Sequence, residues 1–154
     1  MWTFDVRTDP VQIDAPIDVV WAVLTDVNRY GEWNSFTPEV RTDFKIGSSV
    51  DMQVTMGRRM LDITEYVCAF EEPRLIAWQK AFGPRWWLHA LREQHLEPLS
   101  ETSCSYYNSD RLTGVMAPVV AISSGGYMRR GFESVATGLK TQAEEIYAST
   151  RSDG

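Results

Sequence analysis

Cysteine and histidine are scarce in this chain, two of each among 154 residues. Cys68 and Cys104 stand far from each other and from any acidic or histidine cluster, which excludes a cysteine-based metal framework and leaves them as buried structural thiols. His89 and His95, six residues apart with no further ligand type beside them, make a weak metal pattern, so neither a metal nor any other cofactor is expected. Basic residues are also in deficit: 15 Lys and Arg face 21 Asp and Glu, for a net charge of −6. A nucleic-acid partner would work against that field, and an anionic membrane surface is disfavoured for the same reason. No apolar run approaches the roughly 20 residues that span a bilayer. The start, Met1-Trp2-Thr3-Phe4-Asp5, lacks the basic and apolar regions of a secretory signal, so a cytoplasmic location is expected. There is no glycine-rich phosphate loop, no nucleophile elbow and no Cys-His pair with an orienting group, which removes nucleotide and covalent nucleophilic mechanisms. No internal repeat or low-complexity stretch is visible.

What is present is a core. With 44% hydrophobic and 12% aromatic residues, the chain can fold as one domain over 1–154. The segment from Ala15 to Asn34 reads as a short helix, a break, and a second short helix ending near Trp33. Pro16 suits the first helical position, Asp18 faces the positive end of the helix dipole, and Ile17, Val20, Trp21 and Leu24 form one apolar stripe. Ahead of it, Trp2, Phe4 and Val6 alternate as a half-buried strand, whereas Val11 and Ile13 continue on the opposite parity. Asp9-Pro10 lies at the crossover, so a bulged or broken first strand is expected.

After the helical pair the period falls to two. Val50, Met52, Val54 and Met56 alternate cleanly up to a turn at Gly57-Arg58-Arg59, and Leu61, Ile63, Val67 and Ala69 give a second strand. Ile76 and Trp78 anchor a third, which stops at Gly83-Pro84. A longer strand from Arg85 to Leu96 turns through Pro98 to Glu101 and returns from Thr102 to Leu112. Such short connections argue for an antiparallel meander. From Val115 the period becomes helical: Met128, Phe132, Val135, Leu139, Ala143 and Ile146 share one face. The helix is expected to be entered between Val115 and Pro118, bent or interrupted at Gly125-Gly126, and frayed over 150–154.

One strand, two short helices, a run of strands and a long terminal helix, together with particular residues, resemble the SRPBCC superfamily. These are helix-grip domains of the START and birch-pollen-allergen type, and the likeness is to their polyketide cyclase/dehydrase-like group. The residues concerned are Ala15-Pro16, Val20-Trp21, Asp26, Tyr30 and Trp33-Asn34, then Pro73 to Trp78, Leu96-Glu97-Pro98-Leu99, and Gly114 with Arg130-Gly131-Phe132-Glu133, Leu139-Lys140 and Glu144. The resemblance implies an α+β fold in which a curved antiparallel sheet of about seven strands wraps a long C-terminal helix around a cavity. Alternation alone does not distinguish a hollow core from a filled one.

If the cavity exists, parity selects its wall. Val54 and Met56, Ile63, Trp78, Leu88 and Tyr106 come from the sheet, and Met116, Val120, Met128 and Phe132 from the helix, with Trp33 and Phe36 at the entrance. The family's Glu-x-Phe-Ser-Gly pattern matches Asp110-Arg111-Leu112-Thr113-Gly114, which registers Asp110, Asn108 and Tyr106 on the inner face. Taking Leu96 as inward likewise points Gln94, Arg92 and Ala90 inward, so Arg92 can pair with Asp110 and keep it ionised. Glu65 shares the parity of Ile63, and desolvation would fit it for acid or base work, unless it stands at the open end of the sheet. A one-residue slip would instead turn His89 inward as a proton shuttle.

The principal expectation is a binder of a small hydrophobic molecule: a lipid, a polyketide or an aromatic metabolite. An enzyme of cyclase, dehydratase or isomerase type is the alternative, with Asp110, Arg92, Glu65 or His89 moving a proton and no cofactor. A co-chaperone-like interaction module is a third, since a related branch of the superfamily resembles the opening helices. Self-association into a homodimer stays open.

Overall fold

The computed structural model describes residues 2–152. Its sheet begins with the broken strand: β1 (Thr3–Arg7) and β2 (Val11–Ile13) both pair with β8 (Ser103–Thr113). Val6 and Ile13 are both buried despite their opposite parity, because the chain steps aside between them. Thr8 holds that step, donating its N–H to the Asn108 carbonyl at 3.0 Å while its Oγ1 accepts the Asn108 N–H at 3.1 Å. A side-chain oxygen thus replaces the ladder acceptor just before Pro10, which has no N–H to give.

Helix α1 (Ile17–Thr25) follows, with Pro16 one position earlier than expected, as the cap whose carbonyl accepts the Val19 and Val20 N–H groups. Val20, Trp21, Val23 and Leu24 form its buried face, while Ile17 is only half-buried. The second short helix is a 3-10 turn over Val27–Glu32, tied back to α1 by the Tyr30 hydroxyl, which donates to the Leu24 carbonyl.

The meander comprises β3 (Glu39–Arg41), β4 (Ser49–Met56), β5 (Arg59–Glu71), β6 (Leu75–Ala81), β7 (His89–Ser100) and β8. The antiparallel order is β1-β8-β7-β6-β5-β4-β3, about seven strands as expected, with β2, the second piece of the broken first strand, pairing with β8 off that path. Of the run of six, β3 is the one that no alternation located, because its single buried residue, Val40, is too little to produce one. β5 changes parity at a bulge between Val67 and Ala69. β7 begins four residues later than expected, because 82–88 form a loop in which the Phe82 N–H meets the Leu88 carbonyl and the Trp87 N–H meets the Pro84 carbonyl. It then runs on through Pro98, past a second irregularity, to Ser100.

Helix α2 (Ala117–Ser152) is continuous for 36 residues, about 54 Å, and packs against β1, β2, β8 and α1. The expected interruption at Gly125-Gly126 does not occur. The glycine cost of about 1 kcal/mol each is outweighed because both flanks are anchored, by Val120 and Met128 over the sheet and by the buried row Phe132, Val135, Leu139 and Ala143. The helix runs to Ser152, and 153–154, the last of the residues expected to fray, lie outside the described residues. Two other glycines matter more. A Cβ on Gly131 would stand 2.4 Å from the Phe36 ring, and one on Gly138 would stand 2.2 Å from the Trp33 carbonyl oxygen. Their bareness lets the 33–36 segment lie directly on α2.

Candidate functional site

Between sheet and helix lies a cavity of about 260 Å³. Its apolar wall draws Met52, Val54 and Met56 from β4, Ile63 from β5, Leu112 from β8, and Val120, Met128 and Phe132 from α2. Phe36, edge-on to Phe132 at 5.6 Å between centroids, closes one side. Into this wall three strands of the sheet place one ionisable side chain each: Glu65, Arg92 and Asp110.

Arg92 and Asp110 are direct partners in the β7–β8 ladder, as the register argument required. The ion pair expected between them is nevertheless absent. The Arg92 guanidinium instead lies over the Phe132 ring, its Cζ 4.0 Å from the centroid, where the π face attracts the cation. Arg92 Nε, Asp110 Oδ1 and Glu65 Oε1 are all buried without a hydrogen-bond partner. Burial pushes the Asp110 carboxyl up to about 6, with Arg92 pulling the other way. Burial and then the Asp110 charge push Glu65 up to about 8. Burial thus opposes ionisation of both carboxyls, and the Asp110 charge adds to that effect at Glu65, while Arg92 favours the charged form of each.

A polar layer supports the strands beneath this cluster. The Tyr106 hydroxyl donates to Gln94 Oε1 at 2.8 Å, and Asn108 Nδ2 donates to the Tyr106 oxygen at 3.0 Å and to the Phe132 carbonyl at 3.1 Å. Asn108 thereby ties β8 to α2 at the residue whose ring carries Arg92. Burial pushes the Tyr106 hydroxyl up to about 12, so it remains a donor.

Phe36, Val54, Met56, Ile63, Leu88, Val120, Met128 and Phe132 line the cavity together with Glu65, Arg92 and Asp110. Six other candidates stand elsewhere. Tyr106 and Asn108 are fully buried in the polar layer, where the Tyr106 hydroxyl and Asn108 Nδ2 bond within the protein and Asn108 Oδ1 has no partner among the described residues. Trp78 is buried in the core beside Arg92 in the ladder. Trp33 packs against Tyr30 and opens onto a groove between α1 and α2, since its backbone is held on Gly138. Met116 sits at the corner before α2, its N–H bound to the Trp87 carbonyl at 2.9 Å. His89 has the outward parity: its Nε2 meets Gln79 Oε1 at 3.0 Å, and the cavity does not include it. Desolvation and then Arg85 lower its pKa.

Six lining residues are not among the wall residues expected from sequence, although parity points Ala90 inward. Met52, Ala90 and Leu112 share the parity of chosen neighbours and could have been included on that ground. Thr37, Phe82 and Ser124 come from loops and a weak helical stretch, where no period signals them. A larger groove of about 690 Å³ runs beside the 3-10 turn, β3 and β4, but its polar walls contain none of the buried unpartnered atoms. Among the described residues no three His, Cys, Asp or Glu side chains are placed to hold a metal ion, and no helix is long and apolar enough to cross a membrane.

The fold has solved counterparts. Norcoclaurine synthase from Thalictrum flavum, in complex with dopamine and hydroxybenzaldehyde, is 16% identical with a TM-score of 0.70, covering 94% of this chain and 88% of that one. The Zhui aromatase/cyclase from Streptomyces sp. R1128 is 19% identical with a TM-score of 0.66, covering 93% and 94%. TTHA0849 from Thermus thermophilus is 11% identical with a TM-score of 0.72, covering 93% and 99%. A search of curated sequences gives no match. At these identities the likeness is one of fold, whereas the sequence itself matches, over residues 1–144, the family described as polyketide cyclase / dehydrase and lipid transport. To that family the chain belongs.

Proposed function

We propose that the protein binds a compact hydrophobic molecule, aromatic or polyketide-like, with a carbonyl or hydroxyl directed at Glu65, Arg92 and Asp110. The observation that carries this reading is the set of unpartnered buried atoms on those three residues, facing an otherwise apolar cavity. Each such atom costs about 1–3 kcal/mol while it lacks a partner, and a ligand oxygen supplies one. A volume of about 260 Å³ lies just below the usual range for small-molecule sites, which favours one or two rings over a long-chain lipid. Met52, Met56 and Met128 allow the wall to adapt.

A second reading rests on the same carboxyls. A protonated Glu65 and an ionised Asp110 in one cavity are an acid and a base, which suits proton transfer on a carbonyl substrate during cyclisation, dehydration or isomerisation. Mass spectrometry of small molecules extracted from gently purified protein, with fluorescence titration of a hydroxynaphthaldehyde probe, tests the binding reading. A compact oxygenated aromatic, or saturable probe binding weakened by Arg92→Met, supports it. A long-chain lipid as occupant, or probe binding indifferent to Arg92, overturns it.

A further inference from the structure

Large apolar side chains are exposed at one end of the molecule. Trp86 is 58% exposed, Ile122 86% and Val119 53%, with Trp87, Val115 and Phe82 also in solvent. They are not scattered. The Val115 and Met116 N–H groups bind the Trp86 and Trp87 carbonyls at 3.0 and 2.9 Å, which fixes the 82–88 loop to the start of α2. Gly114 permits this close approach: it has a φ of +113°, and a Cβ there would stand 2.6 Å from the Trp87 carbonyl oxygen. The β4–β5 hairpin joins the same end, since the Tyr127 hydroxyl accepts the Gly57 N–H and donates to the Thr55 carbonyl. Met56, Phe82 and Val120, one from each segment, all line the cavity, and Phe82 is itself exposed. The three segments therefore frame its mouth.

Charge is distributed unevenly around this rim. Residues 56–61, 80–88 and 113–130 contain Arg58, Arg59, Lys80, Arg85, Arg129 and Arg130 and no acidic residue, although the chain has 21 acids. Of the acids that flank these segments, Asp5 pairs with Arg111 and Glu133 with Arg129, whereas Asp62, next to the hairpin, has no ion pair among the described residues, so the free cations of the rim are Arg58, Arg59, Lys80, Arg85 and Arg130. The overall charge of −6 weighs against an anionic surface only from afar, because salt screens fields beyond about 8–10 Å. At contact the rim's own cations decide.

We propose that this rim docks on the surface of an anionic lipid bilayer, with Trp86, Trp87 and Ile122 at headgroup depth and Arg58, Arg59 and Arg85 against the anionic headgroups. Indole rings favour the membrane interface, and exposed aliphatics flanked by arginines are the composition of interfacial anchors. Val115, Val119 and Ile122 recur at spacings of four and three, so α2 and the residues leading into it present one continuous apolar stripe there rather than isolated residues.

The test is co-sedimentation with vesicles of phosphatidylcholine alone and with added phosphatidylglycerol, together with tryptophan emission. The protein should bind the anionic vesicles, with a blue shift, and lose binding as salt is raised. Arg58→Gln/Arg59→Gln and, separately, Ile122→Ser should each lower vesicle affinity about tenfold. Both variants change exposed residues, and circular dichroism verifies their fold. Absence of binding to anionic vesicles, or binding unaffected by either variant, overturns the proposal. So does capture of an acidic carrier protein at this rim with no binding to vesicles, which would assign the surface to a protein. The measurement needs no ligand in the cavity, so it stands or falls separately from the ligand reading.

Discussion

Arg92 and Asp110 are opposite one another in the β7–β8 ladder, yet the guanidinium turns to the Phe132 ring and leaves Asp110 Oδ1 unpartnered. Opposite charges on adjacent strands would be expected to close on each other. Holding them apart keeps both available to something within the cavity, and it makes Phe132 a support for the cation. Arg92→Met removes the influence that lowers the Asp110 pKa. The Asp110 carboxyl should then titrate above its present value of about 6, as followed by carbon NMR of the side chain. An unchanged titration would show that Arg92 does not act on Asp110 electrostatically.

Stability should fall as pH rises through neutrality. Glu65 and Asp110 have folded-state pKa values of about 8 and about 6, above their ordinary 4.5 and 3.8, so the folded protein holds protons that the unfolded chain releases. Their contribution is complete below the unfolded values and is lost as pH climbs through the folded ones. Glu65→Gln should flatten the decline between about pH 5 and 8 and raise the urea midpoint at the alkaline end. Equal slopes for the variant and the parent protein in urea titrations across this range would contradict the assignment.

The glycines of α2 should divide by what surrounds them. Gly138→Ala drives a Cβ to 2.2 Å from the Trp33 carbonyl oxygen, and overpacking of this kind costs about 1–3 kcal/mol. Gly125→Ala meets open space inside a helix and should stabilise by up to about 1 kcal/mol. Thermal melts of the two variants should therefore shift in opposite directions.

Asp110→Asn separates binding from catalysis. The amide keeps the shape and can still bond a ligand oxygen, but it cannot take up a proton. If the acid–base reading holds, turnover of a cyclisable or dehydratable carbonyl substrate should fall by about 100-fold or more while probe affinity changes little. Parallel losses of turnover and affinity would make Asp110 a binding residue. Glu65→Gln should show the same split if Glu65 is the acid.

The broken first strand, the paired short helices, the meander and the amphipathic α2 were readable because each is written as a period of two or near 3.6, or as a proline at a change of parity. Val54, Ile63, Arg92 and Asp110 could be aimed from sequence because the sides of a strand alternate without exception unless a bulge intervenes, and β7 and β8 have none where Arg92 meets Asp110. The continuity of α2 was not readable, because local propensity at Gly125-Gly126 opposes it and only packing on both flanks maintains it. Nor was β3, too short to display a period.

The sequence alone determined which residues share a face between bulges and that one helix would close the sheet, because both follow from the geometry of a single element. Tertiary structure alone decided that Arg92 rests on Phe132 instead of meeting Asp110, and that Asn108 Nδ2 bonds the Tyr106 hydroxyl beneath the cavity rather than a group within it. It also gathered the hairpin, the 82–88 loop and the start of α2 into one basic, aromatic rim. Those outcomes depend on distances between side chains far apart in sequence, and periodicity carries no record of such distances.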